Sequence, residues 1–203
     1  MTDVTWFRAP SDGDEEGDPG TLNACYNALD IHVIRGRADD PALVVDGVER
    51  TFARLLTDVG AFAGVLRAFG TAPGDEVLTS GLSRSDDVLV QLAVARVGAV
   101  LVDESSATVP TVAVHHTAPA TPPADDRVVI TIDTSSELDK ATLMRAGATD
   151  PAGCADVPGG QPLRIVAGEP VPLGAHLAAV LDGTATDPVF GPLVTGHPVV
   201  VDA

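Results

Sequence analysis

The sequence has 203 residues, 45% hydrophobic and only 3% aromatic, so it can bury one sizeable core built from Val, Leu and Ala. A formal charge of −17 makes the surface acidic, which disfavours nucleic acid and anionic lipid as partners by charge repulsion. No apolar run reaches bilayer length and no basic-then-apolar leader follows Met1, so a cytoplasmic chain is expected.

Two cysteines, Cys25 and Cys154, lack the number and spacing for a disulfide framework or a zinc site. A buried thiol and an incidental loop thiol are the readings they invite. No metal and no other cofactor is expected.

Trp6-Phe7 lead into an acidic, glycine-bearing loop. Within it Asp12, Asp14, Glu16 and Gly17 approach the start of a calcium loop. The twelfth position of that pattern is Asn23 instead of Glu, and no helix precedes it, so the stretch reads as a solvated surface loop. From Thr21 to Val33, residues Leu22, Tyr26, Leu29 and Val33 recur at helical spacing, predicting an amphipathic helix capped by Thr21 or Asn23.

Ala42 to Val45 reads as a strand that turns at Asp46-Gly47 and returns over Val48 to Arg50. Thr51 then caps a helix whose face is Phe52, Leu55, Leu56, Val59, Phe62, Ala63, Leu66 and Phe69, stopped by Gly70. Pro73-Gly74-Asp75 turns into a strand from Glu76 to Thr79. Ser83 or Ser85 caps a third helix, with Asp86 and Asp87 placed where the helix dipole favours anions. Val88, Leu92 and Ala95 form its buried face, Gly98 ends it, and Val100 to Val102 is the next strand. Strand, helix and strand in one direction form a parallel crossover.

Prolines at 110, 119, 122 and 123 forbid a continuous helix in the next segment, which reads as a short strand plus a linker. His115 and His116 are adjacent there. On a strand they point to opposite faces, so they are expected on a partly exposed edge and not as a metal pair. Arg127 to Ile132 is a strand, Glu137 to Ala146 a short helix, and Asp150 to Gln161 a loop. Leu163 to Val166 reads as a strand and Gly174 to Leu181 as a helix. Thr79-Ser80-Gly81 is the nearest approach to a nucleophile elbow, but it lacks the leading glycine.

Trp6, Phe7, Leu22, Asn23, Tyr26, Asn27, Asp30 and His32 stand in an order that resembles the N-terminal signature of the acetyl- and propionyl-CoA synthetases. The acidic loop replaces the short Pro-Gly-Gly-type link of that family. The likeness continues through Thr51, Phe52, Ala53 and Leu55, then Gly70, Gly74, Asp75 and Val77. It extends to Leu92, Ala93, Arg96, Gly98, Ala99 and Val100, and thins until Phe190, Gly191, Pro192, Leu193, Gly196 and the strand Val199 to Val201.

The resemblance implies an α/β fold: a mainly parallel sheet flanked by helices, a trimmed version of the synthetases' N-terminal, AMP-binding domain. Residues 1–20 are expected to form an N-terminal segment and 21–203 a single domain. Within that domain, 21–109 is the well-matched part, 110–126 a Pro-rich linker, and 127–203 a trimmed sheet.

The resemblance also sets a chemical expectation. In the family, the strand beginning Pro-Leu runs into a phosphate loop rich in Gly, Ser, Thr and Lys. Here Val166, Ala167, Gly168, Glu169 and Pro170 stand in its place, followed by Val171, Pro172 and Leu173. A phosphate cradle needs backbone N–H groups, hydroxyls and a cation, whereas this stretch offers two prolines and a carboxylate.

The family's later acidic motifs and its lysine-bearing C-terminal domain have no counterpart before Ala203, and Lys140, the only lysine, lies in no lysine-bearing motif. The expectation is therefore a non-catalytic synthetase-like module, acting through a second copy of itself or an acyl-CoA-synthetase-related protein. A vestigial binder of acyl, nucleotide or CoA groups is one alternative, favoured by any pocket lined by Gly168 and His176. The other is one half of a split AMP-forming acyl-CoA ligase.

Overall fold

A computed structural model describes residues 3–11, 17–104, 109–121, 123–133 and 139–201. Asp12, Asp14 and Glu16 of the calcium-like pattern, and the expected helix start at Glu137, lie outside the described residues.

The first predicted helix begins later than its periodicity suggests. Thr21–Leu22 is a short strand, β1, because Thr21 pairs with Arg8 and the two residues pair antiparallel with Pro158 and Val157 of β8 (Val157–Pro158). Helical backbone starts after Asn23, passes through one π-helical stretch over Tyr26–Asp30, and continues as α1, Ile31–Ile34. Of the two caps weighed, Asn23 serves: its Oδ1 accepts from the Tyr26 N–H at 3.2 Å.

Strands β2 (Pro41–Val45) and β3 (Val48–Thr51) form the expected hairpin, with Asp46 and Gly47 both at positive φ. Thr51 Oγ1 caps α2, Phe52–Ala68, accepting from Arg54 N–H. After β4 (Glu76–Ser80), Ser83 caps α3, Arg84–Val97. Gly98 closes it in the left-handed conformation, at φ 77°. A Cβ at Gly98 would also press on Val157.

Strands β5 (Val100–Val102), β6 (Val112–His115) and β7 (Val128–Thr131) follow, then α4, Lys140–Gly147. Helices α2 and α4 pack closely, and a Cβ on Gly147 would overlap the Ala61 carbonyl oxygen. The remaining elements are β9 (Pro162–Val166), β10 (Glu169–Pro172), α5 (Leu173–Leu181), α6 (Phe190–Val194) and β11 (Val199–Val201). Helix α6 was not anticipated, because five residues containing Gly191 and Pro192 carry no helical signal.

Among the described residues, the main sheet has six strands in the order β10-β9-β5-β4-β6-β7, and a three-stranded sheet is ordered β11-β2-β3. All neighbours in the main sheet are parallel except β10 with β9. The mainly parallel α/β expectation thus holds. The strand expected among the prolines lies inside the sheet, between β4 and β7, and not at an edge. Val112, Ala113 and Val114 are buried, which apolar residues on an interior strand satisfy. The larger core takes in Val77, Leu101 and Val112 on the face that α3 covers, while Leu78, Val102 and Ala113 form a small cluster on the other.

Candidate functional site

The stretch expected to replace the phosphate loop is a tight β-hairpin. β9 and β10 pair antiparallel, with Val166 opposite Glu169 and Ile165 opposite Pro170. The turn is Ala167-Gly168, at φ 50° and 83°. All five residues from Val166 to Pro170 are exposed, and Glu169 adds a carboxylate. A hairpin commits its backbone to cross-strand pairing, so this segment has no loop of free N–H groups to wrap an anion.

Open α/β sheets hold ligands at the carboxyl ends of their strands, where successive connections leave in opposite directions. Here that position lies between β4 and β6. Ser80 and His115 are register partners on one face. Ser80 Oγ donates to Glu104 Oε1 at 2.5 Å. Burial lowers the His115 pKa against the opposing pull of Glu104. Nearby, Asp86 pairs with Lys140 and accepts from Ser83 Oγ. Burial works to raise the Asp86 pKa, yet these hydrogen bonds hold it below the ordinary carboxylate range. The single lysine is thus engaged with a helix N-terminal aspartate. His115, the last residue of β6, is partly buried, and His116 just beyond it is exposed.

His176 does not face Gly168. Its Nε2 lies 2.9 Å from Asp187 Oδ2, which Arg164 also contacts at 2.8 Å. Asp187 Oδ1 accepts the N–H groups of Val189 and Phe190. This buried carboxylate fixes the start of α6. Burial would raise its pKa, but His176, Arg164 and the two N–H groups keep it below the ordinary range.

The polar residues of the N-terminal signature form a second cluster, with Asn23, Asn27 and His32 buried and Asp30 partly so. Asn23 Nδ2 donates to the carbonyls of Ala95, Arg96 and Ala155. Asn27 bonds both the N–H and the carbonyl of Thr5. His32 Nε2 contacts the Leu193 carbonyl at 2.7 Å. Asp30 receives both Arg96 Nη1 and Nη2, at 2.9 and 3.3 Å.

Sequence reasoning missed what surrounds Arg96. Its Nη1 also reaches Cys154 Sγ at 3.1 Å and Cys25 Sγ at 3.6 Å. The two sulfurs and an Asp30 oxygen lie within 4.8 Å of one another. Cys154 is therefore no incidental loop thiol. The three groups could ligate a soft cation, but a guanidinium stands among them with its own positive charge. The available signal was chemical: an aspartate and an arginine, one from each of two matched motifs, each needing a partner.

A profile of the AMP-binding enzyme family matches residues 31–151, more than half of the chain. The protein belongs to that family. It is 39% identical over 87 residues to acetyl-coenzyme A synthetase 2 of Debaryomyces hansenii, covering 40% of this chain and 13% of the relative. The acetyl-coenzyme A synthetase of Chlorobaculum tepidum is 40% identical over 86 residues, again 40% of this chain and 13% of the relative. Acyl-CoA synthetase short-chain family member 3, mitochondrial, of Bos taurus is 34% identical over 87 residues, with the same coverage. The chain thus spans about an eighth of the length of these relatives.

Within this AMP-binding family chain, the matched region holds His32 and Arg96 of the internal polar cluster, α2, α3, α4 and strands β2 to β7, while Asn23, Cys25, Asn27, Asp30 and Cys154 lie outside it. The β9–β10 hairpin lies beyond the matched residues. Among the described residues, no helix is long and apolar enough to cross a membrane.

Proposed function

We propose that this chain is a non-catalytic member of the AMP-binding enzyme family that acts by association, with a second copy or with an acyl-CoA-synthetase-related protein. The β9–β10 hairpin carries this reading. Activating a carboxylate with ATP requires donors and cations around the departing pyrophosphate. The hairpin supplies Glu169 and two prolines where those groups would stand. The one lysine is held by Asp86.

An associating surface has support from β11, an edge strand of the small sheet on which Val200 is 62% exposed. Unpaired strand edges with apolar side chains favour a covering partner. The acidic charge argues for a protein partner over nucleic acid or lipid.

A second reading, a vestigial small-molecule binder, is favoured by the Ser80, Glu104 and His115 group at the strand carboxyl ends. Calorimetric titration with ATP–Mg²⁺, AMP, CoA and acetyl-CoA, with sedimentation on the same sample, separates the readings. The expected result is no binding heat and a mass above that of the monomer. Micromolar nucleotide binding would overturn the non-catalytic reading. CoA or acyl-CoA binding alone would move the function to the second. A monomer silent to all four ligands would remove self-association and leave the related synthetase as partner.

A further inference from the structure

We propose that Cys25 and Cys154 form a reversible disulfide under peroxide, locking the first helix to the loop that follows α4. The two sulfurs lie within 4.8 Å of each other, on segments far apart in the chain. Cys25 is fully buried at the helix start, while Cys154 is partly exposed. Cys154 lines a surface cavity of about 470 Å³ together with Arg67, Pro73, Val97 and Gly153. One sulfur is thus open to a small oxidant and the other is shielded behind it. That is the arrangement of a reacting and a resolving thiol.

The chemistry balances with hydrogen peroxide as the oxidant. Cys154 Sγ attacks one peroxide oxygen, the O–O bond breaks, and the products are a sulfenic acid and one water. Cys25 Sγ then attacks Cys154 Sγ, the S–O bond breaks, and hydroxide leaves with the Cys25 proton as a second water. The two sulfurs together give up two electrons to the peroxide.

Arg96 Nη1 donates at 3.1 Å to Cys154 Sγ and holds this sulfur in place. The hydrogen bond with Cys25, burial and the Asp30 charge push the Cys154 thiol up, Arg96 opposing them. Closure to a sulfur separation of about 2.05 Å takes side-chain rotation and withdrawal of Arg96 from between the thiols. Cys154 lies in a segment without helix or strand, tied on either side through Ala152 N–H to the Gly60 carbonyl and Ala155 N–H to the Arg96 carbonyl, so closure falls mainly to the two cysteine side chains.

The test is intact mass, with and without thiol alkylation, of the full chain treated with hydrogen peroxide and then with dithiothreitol. The expected result is loss of about 2 Da and of both alkylation sites, on a species that stays monomolecular in non-reducing gels, reversed by dithiothreitol. Cys25→Ala and Cys154→Ser should each abolish the 2 Da loss. The wild-type measurement stands without them should Cys25→Ala fail to fold. Gain of one, two or three oxygens with no loss of about 2 Da would overturn the proposal. So would two alkylatable thiols after treatment, or disulfides formed only between chains.

Discussion

Asn23 offers a test of whether the signature residues are architectural, because its two side-chain ends do different work. It is fully buried. The amide nitrogen faces three carbonyl oxygens at 2.9, 3.2 and 2.9 Å, while Oδ1 caps the helix through Tyr26 N–H at 3.2 Å. Asn23→Ala loses the cap, worth about 1 kcal/mol, and leaves a buried polar pocket without its donor, adding about 1–3 kcal/mol. The sum is about 2–4 kcal/mol.

Asn23→Asp keeps the cap acceptor but turns a second oxygen toward the three carbonyls of Ala95, Arg96 and Ala155. That variant should be less stable than the alanine at neutral pH, because a buried carboxylate without donors costs more than a small void. It should recover part of the loss in acid, where the protonated carboxyl can donate. Urea unfolding followed by circular dichroism measures both variants. A lowered midpoint at unchanged slope reports the stability change. If Asn23→Asp matched the wild type, or exceeded Asn23→Ala, the amide would not be holding these carbonyls and the reasoning would fail.

His32 gives a pH signature. Burial, aided by the nearby Arg37 and Arg35 charges, holds its pKa below the ordinary 6.5, against the Leu193 carbonyl and Asp40. The unfolded chain therefore takes up the proton first. The stability involved is complete above about 6.5 and declines as pH falls through the folded value. His32→Gln should flatten that part of the stability–pH curve, and an unchanged slope would show that His32 is not its source. Gly147→Ala should cost about 1–3 kcal/mol or more by pressing on the Ala61 carbonyl between α2 and α4. Gly168→Ala, in open space at φ 83°, should cost about 1 kcal/mol for backbone conformation alone. Thermal midpoints in the reverse order would refute the close helix approach.

Elements whose start, face and stop are all local could be read directly. Thr51 to Gly70 and Ser83 to Gly98 are the cases, each with a hydroxyl cap, an apolar stripe and a terminating glycine. Segments that depend on distant partners could not. Thr21–Leu22 follows helical spacing but becomes a strand because Val157–Pro158 lies beside it. The β9–β10 hairpin was obscured by its prolines, although Ala167-Gly168 has the same two-residue turn geometry as Asp46-Gly47, where the sequence was legible. A proline-bearing strand is tolerated here because β10 is an edge, where a missing N–H costs no ladder partner. The Cys25, Asp30, Arg96 and Cys154 cluster could not be read because the fold, not the spacing, assembles it.

The same cluster explains how a chain can carry a synthetase signature without the synthetase's chemistry being required for its survival in the fold. Asn23, Asn27, Asp30, His32 and Arg96 have their hydrogen-bonding capacity directed at the backbone or at each other. Side chains satisfied in this way, inside a core, have little left to offer a substrate. What they provide is attachment of the N-terminal helix to α3 and of α1 to α6, which positions the sheet. A buried polar group that loses its partner is expensive, so each of these residues is held by its neighbours regardless of turnover. Their substitutions should therefore register as changes in unfolding midpoint. The β9–β10 turn, exposed and free of such obligations, is where residues can change with little effect on stability.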